Sequence, residues 1–327
     1  MTKALETMKT FTTETMIEIY RWLHKGCSGI DTGDAVTFEV CNPDLGGSAY
    51  AGTRFQVGPT TYRHRGYKAW TDLAELLGCR MLTPTPLSEH TVAIRFEKLD
   101  TDASFHHAPV LTKEEKYGAD SPFAAINKNE EPAFMAAYLH ALERTGIADR
   151  HRILDLGVNS GDEFDLIRHI VGTERFDAME LVGIDHSASA VDIAKTRFPG
   201  DNVTFHVHDI NHLDVLQLEP FDLIVSIGTL QSPGIDFKPL FMSLVQNHLV
   251  RNGGALVLGF PNCRWMGGEM IYGAKAPNYP YPEQSLLYKD VYFCKKYLQQ
   301  KKFRVTLTGK NYLFLTATPI GRQGILE

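Results

Sequence analysis

Five short apolar runs, separated by stretches with helical spacing, dominate the second half of the chain. They are Arg152-Ile-Leu-Asp-Leu156, Glu180-Leu-Val-Gly-Ile-Asp185, Asn202 to Asp209, Phe221 to Ser226 and Gly254 to Phe260. Runs of this length bounded by turn residues predict buried strands, and strands alternating with helices predict a parallel sheet. Helical spacing recurs in Glu130 to Leu142, Ser187 to Arg197 and Leu286 to Gln300. After the last of these, Phe303 to Thr308 and Tyr312 to Thr318 flank Gly309-Lys-Asn311, which predicts two strands joined by a tight turn. The first hundred residues follow another pattern. Leu5, Met8, Phe11, Met16, Ile19 and Trp22 predict a helix across residues 2 to 24, Tyr67 to Leu77 predicts a second, and Val36 to Val40 and Thr91 to Phe96 alternate like strands. An N-terminal α+β accessory domain (residues 1–110) and an α/β domain (residues 111–327) are therefore expected, with a linker over Thr101 to Ser121 where Pro109, Gly118 and Pro122 punctuate the chain.

The chemistry is concentrated where the first apolar run meets a helix. In Asp155-Leu-Gly-Val-Asn-Ser-Gly161, Gly157 and Gly161 carry no Cβ, so a ligand can approach the backbone while the helix N-terminus offers free N–H groups. Asn159 stands between them and tolerates left-handed backbone better than other non-glycine residues. Such a turn also serves dinucleotides and purely structural roles. Further acids add weight to a cofactor reading: Asp185 ends the second run, in a position that suits a ribose diol, and Asp209 lies just past the third. Each acid has a rival role as a helix cap, most credibly Asp209.

Taken together, these segments resemble the class I S-adenosylmethionine-dependent methyltransferases over about residues 130 to 318. Asp155 to Gly161 matches the first motif of that family, Asp185 its ribose-binding acid, His208-Asp209-Ile210 its adenine-side segment, and Leu249-Val-Arg-Asn-Gly-Gly254 the turn before its fifth strand. The resemblance implies a doubly wound, seven-stranded, mostly parallel sheet with an antiparallel terminal hairpin, and S-adenosyl-L-methionine as cofactor. It implies cofactor contacts from Asp155, Gly157, Asn159, Gly161, Asp185, His186, Asp209, Ile210 and Ser226. In that family a segment preceding the first strand often closes over the cofactor, which makes Tyr117, Phe123 and Lys128 candidate lid residues.

Net charge is −2 over residues 1–110, −11 over 111–249 and +7 over 250–327. The basic tail carries Lys295, Lys296, Lys301, Lys302 and Arg304, which fall at the end of a helix, where cations favour the macrodipole. A solvated helix end is preferred there over a nucleic-acid track. No apolar run is long enough to span a membrane and no signal segment is evident, so a soluble cytoplasmic protein is expected. The five cysteines are scattered in sequence and suggest neither a disulfide framework nor a metal site. His206 and His208 share one strand face without further ligands, and His106-His107 sit in the linker. No oligomeric state follows from the sequence.

Acceptor identity is expected where the fourth and fifth strands end. Ile227-Gly-Thr-Leu-Gln-Ser-Pro233 lacks the Asn/Asp-Pro-Pro-aromatic sequence of base-amino methyltransferases, and Cys263 lacks the motif of cysteine-dependent RNA enzymes. The segment Arg264 to Pro282 is expected to form a substrate-facing loop, with Gln231, Asn262, Arg264, Trp265 and Tyr272 as candidate contacts. No catalytic base stands out. A small-molecule methyltransferase leads. A tRNA or other nucleic-acid methyltransferase is the alternative, docking through the acid-free stretch with Arg54, Phe55, Tyr62, Arg63 and Arg65. A non-catalytic, cofactor-binding regulatory protein is the third reading.

Overall fold

A computed structural model describes residues 8–100, 112, 114–273 and 284–321. His106 and His107, most of the expected linker and the distal part of the 264–282 segment lie outside the described residues. The chain divides into two compact units, residues 1–104 with 266–269, and residues 105–265 with 270–327.

The first unit contains β1 (Lys9–Phe11), α1 (Met16–Ser28), β2 (Ala35–Cys41), β3 (Arg54–Val57), β4 (Thr60–Arg63), α2 (Tyr67–Leu76), β5 (Cys79–Met81), β6 (Thr85–Pro86) and β7 (Thr91–Lys98). Its sheet runs β1-β2-β7-β5 with β6 also on β7, and β3 pairs with β4 as a separate ribbon. Ile19, Leu23, Phe38, Trp70 and Phe96 are fully or almost fully buried at its core. Among the described residues, the helix expected over 2–24 is replaced by a strand and then a helix. Thr15 and Glu18 form a reciprocal capping box that starts α1 at Met16, and Lys9–Phe11 pairs in parallel with β2 instead. Phe11 met the helical spacing by coincidence, because its inward position in a strand also buries it.

The second unit contains α3 (Pro132–Arg144), β8 (Arg152–Leu156), α4 (Asp162–Val171), α5 (Thr173–Asp177), β9 (Glu180–Asp185), α6 (Ala188–Arg197), β10 (Val203–Val207), β11 (Leu223–Ile227), α7 (Phe237–Ser243), β12 (Ala255–Pro261), β13 (Cys263–Met266), β14 (Glu269–Tyr272), α8 (Ser285–Gln300), β15 (Phe303–Thr308) and β16 (Tyr312–Pro319). Residues 266–269 of β13 and β14 are counted with the first unit. The seven-stranded sheet has the order β10-β9-β8-β11-β12-β16-β15. Strands β8 to β12 are mutually parallel, and β16 inserts antiparallel between β12 and β15. The fold is therefore a doubly wound α/β sheet with an antiparallel terminal hairpin.

Apolar residues from α3, α4, α5 and α6 cover one face of the sheet, and those of α7 and α8 the other. Both faces are buried, which is why β8, β9, β11 and β12 read as continuous apolar runs. Strand order reverses between β8 and β11, and loops leaving the carboxyl ends of these strands frame a crevice at such a switch point. Since β15 runs parallel to β12, its first residue and the end of α8 lie at the opposite edge of the sheet, and the basic cluster from Lys295 to Arg304 goes with them. The expected substrate loop starts as the β13–β14 hairpin, because Arg264, Trp265, Met266, Met270 and Ile271 alternate as strand residues on either side of Gly267-Gly268.

Candidate functional site

The turn after β8 is held by left-handed residues in succession: Gly157 at φ 79°, Asn159 at 44° and Gly161 at 88°. Gly157 and Val158 donate to the Ile184 carbonyl of β9 at 2.8 and 3.2 Å, so turn and neighbouring strand tip form one unit. The Asn159 N–H donates to Asp185 Oδ2 at 3.0 Å and the Ser187 N–H to Asp185 Oδ1 at 2.9 Å. Asp185 is buried and joins the two loops, and each oxygen retains a lone pair for a further donor. His186 is exposed beside it, its Nδ1 3.9 Å from the carboxylate.

The glycines are crowded by the protein itself. A Cβ on Gly157 would stand 1.9 Å from Thr229 Oγ1, and one on Gly161 would stand 2.7 Å from the Phe198 ring. The expected bare backbone is thus covered at Gly157 by Thr229, from the loop after β11. Its hydroxyl makes only a long 3.4 Å bond to the Ile227 carbonyl. Tyr312 closes the same corner: its hydroxyl would lie 4.0 Å from a Cβ on Gly228.

Beneath the turn is a buried charge cluster. Asp155 is 1% exposed, and neither of its carboxylate oxygens has a hydrogen-bond partner among the described residues. Burial, reinforced by the Glu163 carboxylate, pushes its pKa well above the usual carboxylate range. Tyr138 in α3 is fully buried with an unpartnered hydroxyl. Lys128 and Glu163 form a buried ion pair at 3.1 Å. Burial alone would lower the Lys128 pKa, but the adjacent Glu163 outweighs it and holds the ammonium firmly charged. An unpaired buried carboxylate beside hydroxyl and ammonium groups is costly for the protein alone and complementary to a cationic ligand group.

The candidate lid residues meet this same turn. The Tyr117 carbonyl accepts from Asn159 Nδ2 at 2.7 Å, and the Tyr117 and Phe123 rings pack edge-on at 5.3 Å. Glu115 accepts from Ser187 Oγ at 3.0 Å and from the Ser189 N–H and hydroxyl. These bonds, chiefly the one from the Ser189 hydroxyl, hold its pKa below the ordinary value.

Other expected residues serve local structure. Asp209 is exposed and caps the following turn, accepting from the Asn211 N–H at 2.9 Å, while Ile210 is buried. Ser226 donates to the Leu156 carbonyl at 3.2 Å within the sheet. Gln231 donates to Asp290 at 2.9 Å. Asn262 donates to the Lys310 carbonyl at 3.1 Å, Arg264 donates to the Tyr272 and Gly273 carbonyls, and Trp265 is half-buried in β13. Tyr272 accepts from Gln284 at 3.0 Å. Burial pushes the Cys263 thiol up to about 12, so it is protonated and a poor nucleophile at neutral pH. Thr229, Glu163 and Tyr138 were not singled out from the sequence. An acid in a first helical turn and a tyrosine on an amphipathic helix carry no distinguishing signal there.

Residues 147–276 match a family model described as a methyltransferase domain. That stretch carries a methyltransferase domain. The methyltransferase matches no curated protein. Among solved structures it is similar to an S-adenosylmethionine-dependent methyltransferase from Aquifex aeolicus (16% identity, 56% of this chain and 89% of that one, TM-score 0.39). It is also similar to precorrin-6y C5,15-methyltransferase from Geobacter metallireducens (13%, 64% and 99%, 0.40) and to TehB from Haemophilus influenzae (12%, 71% and 72%, 0.38). At these identities and TM-scores the likenesses do not bear on acceptor or mechanism. S-adenosylmethionine is its cofactor. The residues at the turn fit that molecule: Asp155 is an orphaned buried acceptor and Asp185 is a second, partly satisfied one. No described helix is long and apolar enough to cross a membrane.

Proposed function

We propose that the methyltransferase transfers the methyl group of S-adenosylmethionine to a nucleophile on a small-molecule acceptor. The observation that carries the reading is the orphaned Asp155 carboxylate beneath the glycine turn, which awaits a cation that the cofactor's ammonium supplies. Asp185 would take the ribose hydroxyls, and the Asp209–Ile210 segment, with its exposed acid, would border the adenine. When bound, the cofactor brings an activated methyl group, so the protein's work is to position a nucleophile and exclude water. Thr229 covers Gly157 and Tyr312 lies near the adjoining Gly228, and on this reading the acceptor arrives beside them. Burial pushes Tyr312 up to about 12, so its phenol stays neutral and orients an acceptor atom rather than removing its proton. Gln231, Asn262, Arg264, Trp265 and Tyr272 are the proposed acceptor side of the crevice, braced by the bonds described above. The concentration of acids around Asp155, Glu163 and Asp185, in a segment of net charge −11, favours an acceptor without a phosphate backbone.

One observation favours the nucleic-acid alternative. On the β3–β4 ribbon Arg54 stands directly opposite Arg63, with Phe55 opposite Tyr62, and no acid occurs between Asp44 and Asp72. Like charges in direct cross-strand register are unfavourable without a counter-anion. Arg65 does not belong to this surface, since it is buried, donates to the Glu14 carbonyl and lies 5.7 Å from the Trp70 ring.

Incubation with methyl-labelled cofactor and cell extract split into metabolite, RNA and protein pools tests the proposal. Label is expected in the metabolite pool. Label confined to RNA, lost on changing both Arg54 and Arg63 to Ala, would replace this reading with the alternative.

A further inference from the structure

The buried Lys128–Glu163 pair does more than the fold needs. An ammonium has three donors, and Lys128 directs one of them to Glu163 at 3.1 Å, with the Phe134 ring face 5.7 Å away. Its side chain is 11% exposed and that of Glu163 only 5%, so the pair was desolvated at a cost that a single contact repays poorly. The position is also built. Asn127 caps the turn that carries Lys128, accepting from the Asn129 N–H at 3.0 Å, and Asn129 Nδ2 donates to the Asp162 carbonyl at 2.8 Å. This pins the turn to the start of α4, directly after the glycine turn. Two unpartnered buried polar groups, the Asp155 carboxylate and the Tyr138 hydroxyl, lie within the same cluster.

Resting on the cofactor reading above, we infer that Lys128 holds the carboxylate of the cofactor's amino-acid end, opposite the ammonium held by Asp155, and that Glu163 is the positioning residue for Lys128. The amino-acid end of S-adenosylmethionine is a zwitterion, and the cluster offers one anion without a partner and one cation with donors to spare. Both charges sit on one carbon of the cofactor, so holding each from a different side would fix that carbon and limit the freedom of the chain that leads to the sulfonium. Lys128 precedes α3, in the segment that runs over the turn, so the contact would also tie that segment to the loaded state.

The test uses two nucleosides, S-adenosylhomocysteine and 5′-deoxy-5′-methylthioadenosine, which lacks the amino-acid end, titrated calorimetrically into the full chain. Wild type is expected to favour the former. Lys128→Met is expected to weaken S-adenosylhomocysteine about ten- to a hundredfold, the range of one charge-assisted hydrogen bond, while the truncated nucleoside changes by no more than about twofold. Glu163→Gln, which loosens the hold on Lys128, is expected to lower the ratio of the two affinities about three- to tenfold, Glu163→Asp to recover part of it, and Lys128→Arg to keep most of the preference; an unchanged ratio in Glu163→Gln would overturn the positioning role. Should Lys128→Met fail to fold, the neutral pair Lys128→Gln with Glu163→Gln is expected to lose the same preference. Equal loss of both nucleosides in Lys128→Met, or an unchanged ratio, overturns the inference while leaving the cofactor reading intact. Wild type that binds neither nucleoside overturns both.

Discussion

Asp155→Asn is expected to stabilise the empty protein and to cripple cofactor binding. The wild-type carboxylate is buried with both oxygens unpartnered, and an unsatisfied buried polar group costs about 1–3 kcal/mol, more when charged. Asparagine has nearly the same shape and carries no charge, so it removes the cost of burying an ionised group. For a domain of this size 1 kcal/mol moves the melting temperature by roughly 2–4 °C, so the variant is expected to melt about 2–10 °C higher at pH 7. The pH dependence identifies the cause. Because the folded-state pKa of Asp155 is raised, the group favours folding fully only below its unfolded value near 4, and that contribution is lost as pH rises toward the folded pKa. The gap between variant and wild type should therefore be small at pH 4 and widen through neutral pH. Saturating S-adenosylmethionine should reverse the order, since wild type alone gains an ion pair with the ligand ammonium. Differential scanning calorimetry at pH 4, 5.5 and 7.5, with and without cofactor, measures all of this. A variant less stable than wild type at pH 7.5, or a gap that does not change with pH, would show that Asp155 is already satisfied and refute the reasoning.

Gly157→Ala is expected to destabilise the fold by about 2–4 kcal/mol, because φ is 79° and the new methyl meets Thr229 Oγ1 at 1.9 Å. Adding Thr229→Ala should recover only the steric part in denaturant melts, and full recovery would contradict the strain argument. Asp185→Ala removes the shared acceptor of the Asn159 and Ser187 N–H groups, so amide exchange at both sites should accelerate and calorimetric binding of S-adenosylhomocysteine should be lost. Glu115→Gln should loosen the 114–118 turn, seen as roughly tenfold faster exchange at the Ala119 amide, which donates to Ser189 Oγ. Since the Glu115 pKa is lowered, wild type should show the same loosening only as pH falls below about 4.5.

The parallel sheet was legible because both its faces are buried, so β8, β9, β11 and β12 announced themselves as apolar runs, the first three ended by glycine, aspartate or serine. The capping serine at 187 and the glycine turn set the helix starts for the same local reasons. Legibility failed where tertiary contacts decide. Phe11 fits a helix and a strand equally well, and only pairing with β2 chooses between them. The β13–β14 hairpin was hidden by its glycines and by strands of only four residues, too short to show a period against the Gly-, Tyr- and Pro-rich stretch that follows. At the site, the acids at strand tips could be found from spacing, whereas Glu163 and Tyr138 required the folded chain. They look like an ordinary first-turn acid and an ordinary core aromatic until Lys128 and Asp155 are seen beside them. Thr229 went unremarked because the group it covers, the bare face of Gly157, lies 72 residues away in sequence.

A crystal structure of the full chain with S-adenosylhomocysteine tests the central claim most directly. The account predicts the ligand across the tips of β8 and β9, with its ribose hydroxyls on Asp185, its ammonium on Asp155 and Thr229 turned away from Gly157. A ligand bound elsewhere, with Thr229 still seated on the glycine and Asp155 still unpartnered, would contradict it.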